Sequence, residues 1–366
     1  MIRPVPSRFA AFPHDDKARV LIVDDSVVAR AVMGRMIDAS ERFWVAGAVG
    51  TAKAALDFLG RVVVDFILLD IAMPGIDGLT ALPDLIAAGG SAKVLIVSSS
   101  ADEGAATTIQ ALALGAAETL AKPESSAALS AQFGRALLDK LERLRDPHLP
   151  SPRTAAQVVA LPVSSAPTIP NATSDDYDIV AIGASTGGIH ALSQLLRALP
   201  VGFRLPIVVT QHLPTSFMPY FAAQLAVLGG RPCDVATDSL RIRAGRIVVA
   251  PGDAHLKCVK LADGGAALRL VTDPAASGCM PSVDPMLASM ADVYGARMLA
   301  VVLSGMGRDG ADGARRVHDA GGCVIAQDQA SSVVWGMPGA VAAAGIADAV
   351  MTPYAIGRLV ASRRRP

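Results

Sequence analysis

Cysteine is scarce in this chain. Its 366 residues hold four, Cys233, Cys258, Cys279 and Cys323. No pair has Cys-x-x-Cys spacing, so the spacing suggests neither a zinc site nor a disulfide framework. An excess of one charge is also missing. The 33 Lys and Arg balance the 33 Asp and Glu, which removes the electrostatic case for nucleic acid. Long apolar runs are missing as well. Val62–Leu69 is broken by Asp65 and falls well short of the ~20 residues that cross a bilayer. Membrane insertion is therefore not expected. The N-terminal stretch carries Arg3, Pro4, Pro6 and Arg8 without an apolar core, so it does not read as a signal peptide. The expected compartment is the cytoplasm.

What is present is hydrophobic residue in quantity, 52% of the chain. That length and composition predict two domains with sizeable cores. Residues 1–16 read as a disordered leader. Over 17–144, short apolar runs alternate with helical patterns. The strand candidates are Arg19–Val23, Trp44–Val49, Phe66–Leu69, Lys93–Val97 and Glu118–Leu120. Five such units predict an α/β fold with a five-stranded parallel, doubly wound sheet. Residues 145–176 carry prolines 147, 150, 152, 162, 167 and 170 among Ser, Ala and Thr, the composition of an extended linker. A second α/β pattern fills 177–362. Its strand candidates include Ile179–Ile182, Ile207–Thr210, Arg246–Ala250, Met298–Leu303 and Gly322–Ala326. A hairpin is expected between His255–Leu261 and Ala266–Val271, turning at Asp263-Gly264.

In the first domain Asp24 and Asp25 end the first strand and Asp70 ends the third. Strand C-termini of a parallel sheet share one edge, where ligands bind. Three carboxylates there repel one another unless a hard cation such as Mg²⁺ sits among them. Ser98 ends the fourth strand and Lys122 the fifth. A hydroxyl and an ammonium beside a carboxylate and Mg²⁺ make a phosphoryl-accepting site.

In these residues the stretch from Arg19 to Leu138 resembles a two-component response-regulator receiver, a flavodoxin-like domain. The resemblance implies Asp70 as phosphoacceptor, Asp24, Asp25 and Asp70 around Mg²⁺, and Ser98 and Lys122 as the switch hydroxyl and lysine. The family usually has an aromatic residue two or three positions before the lysine. Thr119 and Leu120 stand there in this chain.

The second domain opens on Gly183-Ala184-Ser185-Thr186-Gly187-Gly188, between the apolar run Ile179–Ile182 and a helical segment, Ile189–Leu199. This is strand, sharp turn, helix. Ser185 would sit among free N–H groups at a helix N-terminus. The pattern fits Gly-x-Ser-x-Gly. It also competes with a phosphate loop, but the second glycine of Gly-x-Gly-x-x-Gly is replaced by Ser185 and no Gly-Lys-Ser/Thr follows.

A serine nucleophile needs a base. His14 lies in the leader and His148 in the linker. His190 lies inside the helix after Ser185 and is expected to point away, and His318 reads as a surface residue. His212 directly follows the strand Ile207–Thr210 and is the best placed; His255 is second. For the orienting carboxylate, Asp309 sits in Ser304-Gly305-Met306-Gly307-Arg308-Asp309-Gly310 after a buried-strand pattern, with Asp312 as alternative. An ordinary helix cap is a competing role for Asp309. The chain order Ser185, His212, Asp309 differs from the serine, acid, histidine order of α/β-hydrolases.

Taken with Gln211–Pro214, Ala250-Pro251-Gly252, Pro281–Asp284 and Val334–Pro338, these motifs resemble the chemotaxis protein-glutamate methylesterase family over nearly all of 178–350. Ser304 stands where threonine is common. The resemblance implies a Ser185, His212, Asp309 triad, with Met306 in the segment that supplies an oxyanion-hole N–H. It implies hydrolysis of glutamate γ-methyl esters on methyl-accepting chemoreceptors, deamidation of receptor glutamines by the same site, and no cofactor in the catalytic domain. The phosphodonor would be a chemotaxis-type histidine kinase, and the unphosphorylated receiver would block the receptor's access. An adaptor with a silent second domain and a transcriptional regulator are the other readings. The intact set of three residues argues against the first. The absence of a basic helix-turn-helix pattern argues against the second.

Overall fold

The computed structural model describes residues 17–99, 102–122, 131–146, 177–363 and 365–366. The predicted leader and nearly all of the predicted linker lie outside the described residues. The chain forms two compact units. One holds residues up to Ser98 with Leu120–Asp139; the other holds Ser99–Thr119 with Lys140–Pro366.

The N-terminal sheet is built from β1 (Ala18–Val23), β2 (Phe43–Val49), β3 (Phe66–Leu69), β4 (Lys93–Ser99) and β5 (Glu118–Lys122). Its order is β2-β1-β3-β4-β5. Its helices are α1 (Val27–Asp38), α2 (Ala52–Leu59), α3 (Gly78–Gly89), α4 (Asp102–Leu114) and α5 (Ala131–Arg145). The four residues of β3 are all buried, as expected of a central parallel strand covered on both faces. Side chains start three helices: Ser26 Oγ accepts from Ala29 N, Thr51 Oγ1 from Ala54 N, and Asp77 Oδ1 from Thr80 N. Each such cap is worth about 1 kcal/mol. The strand order reverses between β1 and β3, so Asp24 and Asp70 emerge side by side at the edge where ligands bind.

The second sheet is larger. It joins β6 (Ile179–Ala184), β7 (Ile207–Gln211), β8 (Cys233–Val235), β10 (Ile247–Val249), β13 (Met298–Val302), β14 (Cys323–Gln327) and β15 (Ala349–Met351) in the order β15-β14-β13-β6-β7-β10-β8. All its pairings are parallel. A separate antiparallel sheet contains β9 (Leu240–Arg241), β11 (His255–Lys260) and β12 (Ala266–Val271), and β11–β12 is the hairpin expected from the sequence. The helices are α6 (Gly188–Arg197), α7 (Met218–Gly229), α8 (Val283–Tyr294), α9 (Ala311–Asp319), α10 (Met337–Ala343) and α11 (Pro353–Ser362). Strands β6, β7, β13 and β14 are buried throughout. One hydrophobic core joins strands of both sheets to α8, α9 and α10. The chain runs outward from β6 toward β7 on one side and restarts at β13 on the other. The C-terminal ends of these three central strands surround the topological switch point.

The structure adds β8, β9 and β15, each of two or three residues, which the sequence patterns did not single out. No helix among the described residues is long and apolar enough to cross a membrane.

Candidate active site and phosphoacceptor pocket

Three neighbouring turns at the central edge of the second sheet bring the candidate residues together. The turn after β6 carries Ser185. Its N–H donates to Ser304 O (3.0 Å), and its carbonyl accepts from Gly188 N (2.7 Å) and Gln211 Nε2 (2.9 Å). Gly187 has φ +76°, a conformation that a side chain disfavours. A Cβ there would also stand 2.5 Å from Val333 Cβ and 2.8 Å from Ser304 Oγ. The turn is thus fixed on both flanks while its serine stays half-buried and reachable.

The turn after β7 carries His212, whose N–H donates to Ala184 O at 3.2 Å. Ser185, Gln211 and His212 line one pocket. Among the described residues no hydrogen bond joins Ser185 Oγ to His212; such bonds often tighten only when substrate arrives. His212 Nε2 lies 2.7 Å from Asp309 Oδ2. That leaves Nδ1 as the nitrogen available to Ser185.

The turn after β13 carries Asp309, whose side chain is 1% exposed. It accepts from Ser282 Oγ at 2.6 Å, Val283 N at 2.8 Å and, at 3.5 Å, Asp284 N. These donors hold Asp309 well below the usual carboxylate range although burial opposes them; the His212 imidazole contributes most. Burial would likewise lower His212. The hydrogen bonds and charges of Asp309 and Cys279 outweigh it and push the imidazole up to about 9. Asp284 moves the other way, pushed up to about 7 by burial, against the Gly313 N–H that it accepts from and with the Asp309 charge beside it.

Gly305 approaches Ser185 closely. A Cβ on it would stand 2.8 Å from Ser185 Cβ and would overlap Met337 Sδ. The Gly305-Met306 backbone therefore lies against the serine. Met306 N–H has no acceptor among the described residues. The 334–338 motif wraps this turn: Gly336 N and Met337 N both donate to Gly305 O, at 3.1 and 2.8 Å.

The structure sorts the other expectations. His255 is buried, with Nδ1 accepting from Ser282 N (2.8 Å) and Nε2 donating to Asp273 O (2.9 Å). Both ring nitrogens are committed, so His255 braces the segment that grips Asp309 and does not face Ser185. Asp312 is exposed and pairs with Arg308 at 3.4 Å, which removes it as the orienting acid. His190 bonds Ala113 O and Gln194 Nε2, away from Ser185 as expected. His318 is half-buried where the sequence suggested a surface position. Two contributors were not anticipated. Ser282 belongs to the Pro281–Asp284 motif, and its hydroxyl grips Asp309. Cys279 carries no spacing signal, yet its sulfur lies within 4.8 Å of a His212 nitrogen and an Asp309 oxygen.

In the N-terminal sheet Asp24 and Asp70 are buried and Asp25 is exposed. Lys122 Nζ reaches Asp24 Oδ2 at 2.7 Å and Asp70 Oδ2 at 2.8 Å. Burial pushes Asp70 up, with Lys122 opposing it. Burial would lower Lys122, but both carboxylates hold its ammonium charged and raise it. Ser98 is half-buried at the end of β4. The acids Asp24, Asp25 and Asp70 can each place an oxygen within 4.8 Å of the others. This all-oxygen donor set suits a hard cation such as Mg²⁺.

The fold and these two sites define an α/β protein that joins a receiver-type acidic pocket to a hydrolase-type centre. The response regulator receiver domain family matches residues 20–133, and the CheB methylesterase family matches residues 180–360. A protein-glutamate methylesterase/protein-glutamine glutaminase of Paramagnetospirillum magneticum is 40% identical over 359 residues, covering 93% of this chain and 94% of that one. One from Rhodospirillum rubrum is 39% identical over 355 residues, covering 91% and 92%. Among solved structures, the Thermotoga maritima CheB methylesterase catalytic domain matches with a TM-score of 0.49 and 37% identity, covering 51% of this chain and 98% of that one. The chain belongs to the CheB methylesterase family.

Proposed function

We propose that this chain is a protein-glutamate methylesterase governed by phosphorylation of Asp70, acting on methyl-accepting chemoreceptors in the cytoplasm. The observation that carries the reading is the 2.7 Å His212–Asp309 pair on the same sheet edge as Ser185.

Ser185 Oγ attacks the γ-ester carbonyl of a methylated glutamate as His212 Nδ1 takes its proton. Asp309, on Nε2, orients the ring and stabilises the imidazolium. The Met306 N–H is the donor for the oxyanion; one such donor is typically worth about 100- to 1,000-fold in rate. His212 returns the proton to the leaving methoxide and methanol departs. Water, deprotonated by His212, then attacks the acyl-enzyme; His212 returns the proton to the departing Ser185 Oγ, leaving the receptor glutamate and free Ser185. Attack on a glutamine amide follows the same course with ammonia leaving.

In the receiver, an Asp70 oxygen accepts the phosphoryl group from a chemotaxis-type histidine kinase, with Lys122 and Ser98 contacting the phosphoryl oxygens. Mg²⁺ held by Asp24, Asp25 and Asp70 would neutralise charge on those oxygens.

The test is methanol release from methylated receptor, with and without a small phosphodonor. Wild type is expected to respond to the donor. Ser185→Ala should lose activity in both conditions. Release by Ser185→Ala at the wild-type rate removes the esterase reading and leaves the adaptor.

A further inference from the structure

We propose that His212, Cys279 and Asp309 form an inhibitory binding site for a soft divalent cation, Zn²⁺ foremost. Each offers one ligand atom, and an imidazole nitrogen, the Cys279 sulfur and an Asp309 oxygen all lie within 4.8 Å of one another. The three residues come from separate segments: the turns after β7 and β13, and the loop before α8.

Nitrogen, sulfur and oxygen are the donor types that zinc takes, at about 2.0–2.1, 2.3 and 2.0–2.2 Å respectively in a tetrahedron. Mg²⁺ prefers oxygen alone, so the two metals are sorted between the two ends of the chain. Cys279 is half-buried and its thiol is free. Beyond His212, its sulfur has a long contact of 3.9 Å to Ser277 O. The loop is tied to the acid it would share the metal with: Cys279 N donates to Ser277 Oγ (3.3 Å), Ser277 Oγ to Ser282 Oγ (3.1 Å), and Ser282 Oγ to Asp309.

Binding releases any proton held by the Cys279 sulfur or by the imidazole nitrogen that zinc takes. A water completes the tetrahedron. With one nitrogen on zinc and an Asp309 oxygen withdrawn from the ring, His212 can no longer be held to receive the Ser185 proton. The metal thus acts as a brake on the enzyme. The binding claim stands independently of the esterase reading; the inhibition claim rests on it.

The experiment uses the full chain with saturating Mg²⁺ to fill the acidic pocket. Titration with Co²⁺ is expected to saturate at one equivalent, with a thiolate-to-cobalt charge-transfer band and strong tetrahedral ligand-field bands. Zn²⁺ should bleach both. Cys279→Ala should lose the charge-transfer band, and Cys279→Ser should lose it while retaining a native circular dichroism spectrum. Ser185→Ala should keep the whole spectrum although it hydrolyses nothing. In the methanol assay, Zn²⁺ should inhibit wild type and a chelator should restore it. Even a group that only orients a metal ligand is worth about 10- to 100-fold in affinity, so Cys279→Ser, compared with its own metal-free rate, should need at least about ten-fold more Zn²⁺. A wild-type spectrum without the charge-transfer band, or one unchanged in Cys279→Ser, overturns the site. If wild type releases no methanol without metal, the esterase reading fails and the cobalt spectrum still decides the site.

Discussion

Replacing Asp309 by asparagine keeps the volume and one acceptor but removes the charge that His212 faces. The His212–Asp309 pair is nearly closed to water, with side chains 17% and 1% exposed, so solvent screens it little. Moving the imidazole from its ordinary 6.5 up to about 9 corresponds to about 3 kcal/mol favouring the imidazolium in the folded protein. Asp309 is the largest contributor to that rise, followed by Cys279, and burial works against both. At pH 7, only about 1% of an imidazole titrating near 9 is the neutral base. Wild-type kcat/KM should therefore climb through neutral pH and level off only near 9. In Asp309→Asn only Cys279 is left to oppose burial, and the limb should move to lower pH. The plateau should fall too, by about 10⁴ as in other Ser-His-Asp centres, because an amide neither fixes the tautomer nor stabilises the imidazolium.

Stability gives the second half of the test. His212 titrates higher folded than unfolded, so its contribution is full below about 6.5 and is lost as pH rises through about 9. Asp309 titrates lower folded than unfolded, so its contribution is full above about 4 and is lost as pH falls below that. Thermal melts of wild type should decline between pH 6.5 and 9, and Asp309→Asn should flatten that decline. An unchanged kcat/KM limb in Asp309→Asn, or a wild-type limb already at the ordinary imidazole value, would falsify the assignment of this pair.

Asp70→Asn should abolish both phosphorylation and stimulation by a phosphodonor while sparing basal methanol release, read by gel mobility and the methanol assay. Ser282→Ala removes a 2.6 Å donor to Asp309. It should cost about 1–3 kcal/mol of stability and lower the plateau of kcat/KM more than its pH midpoint. Gly305→Ala pushes a methyl to 2.8 Å from Ser185 Cβ and against Met337 Sδ, so phosphonylation of Ser185 by an active-site-directed phosphonate should slow and the melting temperature should fall.

The strands around the site could be read because parallel strands covered on both faces are written as apolar runs. Phe66–Leu69 matches its expected bounds, and Ile179, Ile207 and Met298 start strands where the runs start. The chemistry at their ends could be read for the same reason. A polar residue directly after a buried run must lie at the sheet edge, and Ser185, His212 and Asp70 all obey this; Lys122 instead ends the half-buried β5. Strands β8, β9 and β15 escaped because their two or three residues are half-buried or exposed and form no apolar run, unlike the equally short but fully buried β10. His255 could not be separated from His212 by position alone, since each adjoins a strand. The choice depends on partners supplied by Ser282 and Asp273, which local sequence does not specify.

Cys279 marks the sharper limit. Spacing rules for metal ligands find sites made by one hairpin or one helix, where ligands recur a few positions apart. Here 67 positions separate His212 from Cys279 and 30 separate Cys279 from Asp309, and only the return of the chain to one sheet edge unites them. The same fact explains why a nucleophilic centre and a metal-binding set can coincide. A base that must be held by a buried carboxylate is already half of a zinc site. The addition of one sulfur within reach supplies the third ligand. Whether that sulfur is silent or inhibitory depends on the free zinc that the chain meets, and the Cys279→Ser comparison measures that dependence directly.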